Sequence, residues 1–232
     1  MLLAVPQPDH SLSFIINKVS IMDPNTRICV TNTPLCPIAA FAMCNVAGVK
    51  DGSTILDPYA GSCATLLAAA MIAPTCRTVG IEIAHNGLVN RKDIRMDFET
   101  RGLPAPVALI QGDSTDSAIR DEARKVIGNE PFDLIITDPP YGIRESKGAN
   151  NALSPLVQLF RSIADDRDAG KPLLKVGGRL VAFVPCHEDE KLIDCLPTHA
   201  QTLEAGLNLE LMCEQPLNDK LSRWLVAYSC TR

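Results

Sequence analysis

Asp138-Pro139-Pro140-Tyr141-Gly142 places one carboxylate, one aromatic ring and two ring-locked residues within five positions. The apolar run before it, Phe132 to Ile136, is too short for a helix and rich in β-branched residues, the pattern of a buried strand. Two prolines then forbid both helix and ladder pairing, and Gly142 lets the chain turn sharply. The expected product is a stiff lip at the carboxyl end of a strand, where pockets of open α/β sheets form. That lip suits one kind of chemistry. The exocyclic amine of a nucleobase is a poor nucleophile because its lone pair is delocalised into the ring. A carboxylate and a backbone carbonyl accepting its N–H bonds would aim that lone pair at an electrophile. The aromatic ring would stack on the extruded base. The blander reading of the same residues is a turn that ends a strand.

The elements that must position this lip alternate along the chain. Thr54-Ile55-Leu56 reads as a strand, Cys63 to Ala73 as an alanine- and leucine-rich helix, and Thr78 to Ile83 as a second strand. A helix over Ala84 to Arg101 follows, with Ala84, Gly87, Leu88, Ile94 and Phe98 on one face. Strand Val107 to Gln111, helix Ser117 to Ile127 and strand Phe132 to Thr137 continue the pattern. Gly142 to Asn151 is polar and reads as a loop. Beyond it come helix Leu153 to Ala169, strand Arg179 to Val184 opened by Gly177-Gly178, and a short helix over Glu188 to Cys195. Leu207 to Cys213 and Trp224 to Ser229 flank Pro216-Leu217-Asn218-Asp219, the spacing of an antiparallel pair. Before all of this, Leu12 to Ile16 and Ile28 to Val30 read as short strands. Asn32-Thr33-Pro34 reads as a helix start with Thr33 as N-cap, and Gly48 as its stop. The expected fold is α/β: a Rossmann-like, seven-stranded sheet, mostly parallel, with an antiparallel C-terminal hairpin. Residues 1–30 read as an N-terminal extension and 31–232 as the single domain.

One acid stands at the end of each of four consecutive strands: Asp57, Glu82, Asp113 and Asp138. Any one of them could be a turn or cap residue. Together they would repel a polyphosphate, and neither G-x-x-x-x-G-K nor G-x-G-x-x-G occurs. A nucleoside ligand with a cationic centre fits them better. Glu82 is placed to accept from a ribose diol, Asp113 would accept from an adenine amine, and Asp57 would face the methionine end of S-adenosylmethionine. Ala60, Gly61 and Ser62 are small enough for backbone to approach the ligand.

The chain has 232 residues, 46% hydrophobic and 21% charged, which suits one globular domain with a sizeable core. A formal net charge of −5 is awkward for a protein gripping a polyanion alone, so affinity for nucleic acid is expected from local basic clusters or a partner. Nine cysteines occur without a C-x-x-C pair, so no metal ligands are assigned and no thioredoxin-like pair is expected. The start lacks a basic region followed by a long apolar one, and no apolar run is long enough to span a membrane. A cytoplasmic or nuclear protein is expected.

Three stretches carry a family resemblance: Asp138-Pro139-Pro140-Tyr141-Gly142-Ile143-Arg144-Glu145, Gly177-Gly178-Arg179-Leu180-Val181, and Cys213-Glu214-Gln215 with Ser222-Arg223. From about Thr31 to the C-terminus the chain resembles the S-adenosylmethionine-dependent Rossmann-like amino-methyltransferases. Within them it is most similar to the tRNA guanosine-10 N2-methyltransferases. The resemblance implies S-adenosyl-L-methionine as cofactor, with Thr33, Asp57, Tyr59, Gly61, Glu82, Asp113 and Asp138 as its contacts. It implies Asp138, Pro139 and Tyr141 as the catalytic lip, and Pro140, Tyr141 and Arg144 as substrate contacts. Methyl transfer to guanine N2 in tRNA or another structured RNA follows. Adenine N6 in nucleic acid is the alternative amine, and a fold that binds without turnover is the alternative class. From the family's eukaryotic members a small zinc-binding activator subunit is implied as a partner. The chain departs from the family's Asp-Pro-Phe-x-Gly-[Ser/Thr]-Gly loop at Tyr59, and at Cys63, where the last glycine falls. The family's upstream RNA-binding module is expected to be missing.

Overall fold

Alternating burial along the central strands decides which helices cover which face of one sheet. The computed structural model describes residues 23–31, 34–83, 89–141 and 154–232. In chain order the elements are α1 (Pro37–Ala47), β1 (Thr54–Asp57), α2 (Ala64–Ile72), β2 (Arg77–Glu82), α3 (Arg91–Glu99), β3 (Ala108–Gln111) and α4 (Ser117–Lys125). They continue as β4 (Phe132–Thr137), α5 (Pro155–Asp168), β5 (Leu174–His187), α6 (Leu192–Cys195), α7 (His199–Ala205), β6 (Leu207–Asn218) and β7 (Leu221–Cys230). The strand order is β3-β2-β1-β4-β5-β7-β6. Strands β1 to β5 pair in parallel, and β7 runs antiparallel to both β5 and β6. The seven-stranded architecture expected from the sequence is the one observed.

Ile55, Leu134, Ile136, Val181 and Phe183 point to one face, where α1, α2 and the Ile94 and Phe98 side of α3 pack. Leu56, Ile135, Leu180, Ala182 and Val184 point to the other, against α4 and α5. Helix α2 is buried from Ala64 through Met71, because it lies between the sheet and α1. Its alanines let both neighbours approach. Phe160 of α5 meets Tyr228 of β7 edge to face, with ring centroids 4.9 Å apart. Among the described residues no helix is long and apolar enough to cross a membrane.

Several boundaries move for identifiable reasons. The first helix starts at Pro37 with Cys36 as N-cap, not at Pro34; of the two prolines able to hold the first helical position, Pro37 takes it. Thr33 lies outside the described residues, and so does the Leu12 to Ile16 stretch. Gly48 ends the helix in the left-handed region, as expected. The described part of the long helix expected over Ala84 to Arg101 is shorter, since Asn90 caps α3 by accepting the Lys92 N–H. Gly177-Gly178 does not open β5 but lies within it, where its pairing with β4 shifts register. A Cβ on Gly178 would lie 2.5 Å from the Asp133 carbonyl oxygen. Strands β6 and β7 run further than expected, closing on Asp219-Lys220, and Pro216 is tolerated because β6 is an edge strand. Helix α7 was not expected at all. Its signals are a capping box between Thr198 and Gln201 and a left-handed Gly206 at the end.

Ile28 to Val30 is not a strand, because a buried carboxylate takes its donors. Asp97 on α3 is fully buried and accepts the backbone N–H groups of Ile28 at 2.8 Å and Cys29 at 3.0 Å. It also pairs with Arg27 at 2.9 Å and Arg101 at 3.1 Å. Arg27 reaches on to donate to the Ser62 carbonyl, so this strap touches the loop after β1. Removing one partner of such a pair strands the other charges. Asp97→Ala is therefore expected to lower unfolding stability by about 3–5 kcal/mol. Urea denaturation would show it as a lower midpoint, and a midpoint within error of the parent would mean the strap is decorative.

Candidate active site

The order of the sheet reverses at β1, whose neighbours are β2 on one side and β4 on the other, and crevices open at such switch points. At the carboxyl ends of β1 to β3 lies a cleft of about 350 Å³, whose lining includes Ala60, Gly61, Cys63, Glu82, Asn90 and Gln111. The loop after β1 hangs on β2 through the Ala60 N–H, which donates to the Ile81 carbonyl at 2.9 Å. Glycine at 80 permits that approach: a Cβ there would lie 2.9 Å from the Ala60 Cβ. Glu82 reaches across the mouth and accepts the Gly61 N–H at 2.8 Å. Cys63 is buried at the floor with φ 61°, in the left-handed region. A side chain there costs roughly 1–2 kcal/mol of backbone strain, which explains the glycine in the family's loop.

The four strand-end acids do not act as a set. Glu82 alone lines the cleft. Asp113 is exposed and turns back on its own loop, accepting the Thr115 N–H and hydroxyl, each at 2.8 Å. Gln111, two residues earlier, takes the lining position instead. Asp57 is buried and saturated: it accepts from the Thr65 hydroxyl, from the Thr137 hydroxyl at 2.7 Å and from the Tyr59 N–H at 3.1 Å. It stitches the ends of β1 and β4 to the first turn of α2. Tyr59 is half-buried, and its hydroxyl donates to the Pro155 carbonyl at 3.0 Å, tying the loop after β1 to α5. Arg144 lies outside the described residues.

The lip stands beside this cleft, at the end of β4. Pro139 is buried, Pro140 exposed and Asp138 between the two. The Tyr141 hydroxyl donates to Asp138 at 2.7 Å and accepts from Arg223 Nη1 at 3.2 Å. Arg223 Nη1 also lies 3.8 Å from the second Asp138 oxygen. Burial pushes the Asp138 carboxyl above its usual range, while the Tyr141 hydrogen bond and the Arg223 charge oppose that rise. Arg223 itself is buried. Its Nε donates to Gln215 at 2.8 Å and its guanidinium lies 4.1 Å over the Phe183 ring. The sequence drew attention to Gln215 and Arg223 only as part of the resemblance. Their place beside Asp138 depends on the pairing of β7 with β5, which local pattern does not show.

Residues 24–185 match the UPF0020 family, described as an RMKL-like methyltransferase domain. The chain belongs to this family. This methyltransferase domain is 30% identical to the tRNA (guanine(10)-N(2))-methyltransferase TRMT11 of Xenopus laevis over 91% of its own length and 47% of the relative's. It is 33% identical to the tRNA (guanine(10)-N2)-dimethyltransferase of Methanothermobacter thermautotrophicus over 68% of its length and 41% of the relative's. The domain thus spans about half the length of the curated relatives it matches. Its fold is similar to that of TrmN from Thermus thermophilus, with a TM-score of 0.56 at 21% identity, covering 86% of this chain and 50% of that one. A methyltransferase from Pyrococcus furiosus gives a TM-score of 0.55 at 15% identity, covering 96% and 99%.

Asp57 gives a pH signature. Burial raises its carboxyl to about 6, against the hydrogen bonds of Thr65, Thr137 and Tyr59. The folded state therefore holds the proton more tightly than the unfolded chain, whose carboxyl titrates near about 3.9. That stabilisation is complete below about pH 4 and is lost as pH rises through about 6. Asp57→Asn, which stays neutral, is expected to lack this loss. Urea midpoints for both proteins from pH 4 to 8 would separate them; parallel curves would exonerate Asp57.

Proposed function

We propose that this domain transfers a methyl group from S-adenosyl-L-methionine to the exocyclic N2 amine of a guanine in tRNA. The observation that carries the reading is the Asp138 to Tyr141 lip at the end of β4, next to a strand-end cleft that Glu82 lines. The guanine-N2 methyltransferase activities for which the TRMT11 and archaeal relatives are named agree with it. The cleft suits a nucleoside with a cationic centre: small residues crowd its floor, Glu82 stands at its mouth to accept from a ribose diol, and no phosphate loop is present. When bound, the cofactor supplies an electrophilic methyl group on a sulfonium. Glu82 and Gly61 would hold it. The acceptor base would stack on Tyr141 beside Pro140, while Asp138 and the Pro139 carbonyl accept its amine N–H bonds. Asp138 then stabilises the positive charge that grows on nitrogen. The Tyr141 hydroxyl and the Arg223 charge both favour the ionised form of Asp138 against its burial, and Arg223, through the Tyr141 hydroxyl, fixes the direction of the ring.

Arg91 lines the cleft, and exposed Arg91, Lys92 and Arg95 on α3 offer a local track for a phosphate backbone, despite the net negative charge. We assign the remaining affinity for RNA to a partner such as a small zinc-binding activator subunit, and place the reaction in the cytoplasm or nucleus. Thr33, Arg144 and the Asp113 loop complete the proposed contacts. Labelled methyl transfer to total tRNA, followed by nucleoside analysis, tests the reading directly. N2-methylguanosine is expected. N6-methyladenosine would move the assignment to the other amine, and no incorporation would leave a binding module.

Two further outcomes follow from the geometry. Glu82→Ala is expected to weaken cofactor binding by about 1.5–3 kcal/mol, the range for a hydrogen bond to a charged group; unchanged affinity in calorimetry would remove Glu82 from the site. Asp138→Ala is expected to cut kcat on the order of 10²–10³ with little change in KM, because its bond is strongest in the transition state. Tyr141→Phe keeps the stacking ring but removes the donor that lowers Asp138. The acidic limb of its pH–rate profile should therefore move to higher pH, and an unmoved limb would sever Tyr141 from Asp138.

A further inference from the structure

At its carboxyl end β5 runs into a turn that folds back on it, and three side chains of that segment converge. Cys186 Sγ, a Glu190 carboxylate oxygen and Cys195 Sγ all lie within 4.8 Å of one another. The sequence holds no pair of cysteines three positions apart. These two are nine apart, and only the turn between β5 and α6 brings them together with the acid between them. We propose that Cys186, Glu190 and Cys195 form a binding site for one thiophilic divalent cation of the zinc class.

The geometry is close to what such an ion requires. Zinc–thiolate bonds of about 2.3 Å and zinc–carboxylate bonds of about 2.0–2.2 Å put tetrahedral donors roughly 3.5–3.8 Å apart. Cys195 Sγ already lies 3.7 Å from Glu190 Oε2. Cys186 is buried, and its Sγ lies 3.6 Å from the Glu190 carbonyl oxygen. The carboxylate is aimed by the chain itself, since the His187 N–H donates to Glu190 Oε2 at 2.9 Å. A carboxylate oxygen keeps further lone pairs for an ion after accepting that bond. Burial, with Cys186 and Glu190 as neighbours, pushes the Cys195 thiol up to about 12. A dication bound among the three groups would offset the charge of a Cys195 thiolate.

Two thiolates with one carboxylate select against magnesium and calcium, which take all-oxygen shells. Three protein donors leave a fourth tetrahedral position to water. On binding, each thiol loses its proton to solvent, so one cation enters and two protons leave. The site sits one residue beyond Pro185, which is the β5 partner of Arg223 in β7. An ion there would clamp the turn and α6 onto the strand that underlies Arg223, which makes it a brace, distinct from the methyl-transfer groups.

Cobalt(II) and zinc(II) are the probes, added to the full chain after reduction and chelator treatment. The expected result is one cobalt per chain with a thiolate-to-metal charge-transfer band, displaced by zinc, and about two protons released per ion. Cys186→Ser and Cys195→Ser should each weaken binding more than about 100-fold, and Glu190→Gln should weaken it without abolishing the thiolate band. The control is Cys36→Ser with Cys213→Ser, two exposed cysteines outside the cluster, which should bind as the parent does. Should the serine variants fail to fold, the unaltered chain still reports through proton release and a zinc-dependent rise in Tm. A band that survives in Cys186→Ser with Cys195→Ser, the absence of any stoichiometric band, or a Cys186–Cys195 disulfide found by mass spectrometry in the chain as isolated would each overturn the proposal.

Discussion

A single buried carboxylate holds the two halves of the site at a fixed distance. Asp57 ends β1, and its partners are Thr137 at the end of β4, Thr65 in the first turn of α2 and the Tyr59 N–H in the loop between. The switch point of an open sheet is where neighbouring strands send their connections to opposite faces, so nothing in the helical layers closes the gap there. Asp57 closes it by hydrogen bonding. The cleft hangs from β1 and β2, and the lip from β4. Their relative position is therefore set by three polar contacts, and it is the burial of the carboxyl that makes it titrate above its usual range, against the lowering pull of those same bonds.

The same economy governs the lip. Two prolines stiffen the backbone but cannot orient Asp138, whose direction comes from the Tyr141 hydroxyl and the Arg223 guanidinium. Arg223 is in turn held by Gln215 and by the face of Phe183. Asp138 and Tyr141 at the end of the parallel half are thus supported by the antiparallel half. This gives the C-terminal hairpin a chemical role beyond widening the sheet.

Much of the architecture was legible because it rests on local pattern. Strand period and helix period assigned all seven strands, and β4 was placed to the residue. The lip was legible because prolines and a terminal acid are local signals. What failed was whatever depended on a distant partner. Ile28 to Val30 has a strand's composition, yet Asp97, some seventy residues away, takes its donors. Asp57, Glu82 and Asp113 look alike at strand ends, but only the fold shows that one is saturated, one lines the cleft and one caps its own turn. The place of Arg223 beside Asp138 and the convergence of Cys186 with Cys195 were invisible for the same reason. Sequence spacing reports faces of elements, not which elements meet.

The strand that comes last among the seven is not at the sheet's edge. Strand β7 inserts between β5 and β6, so β6 has no place in the sheet until β7 arrives. The hydroxyl of Tyr141 and its Arg223 donor are 82 positions apart. During synthesis the segments that form the cleft, β1 to β3, emerge while the hairpin is still unmade. The lip then waits with an unsupported acid until the final strand threads home. Non-local pairings of this kind slow folding, because loop closure must precede any reward. The order of translation therefore builds in a delay: Asp138 gains its Arg223 support only once the last strand has been made and paired.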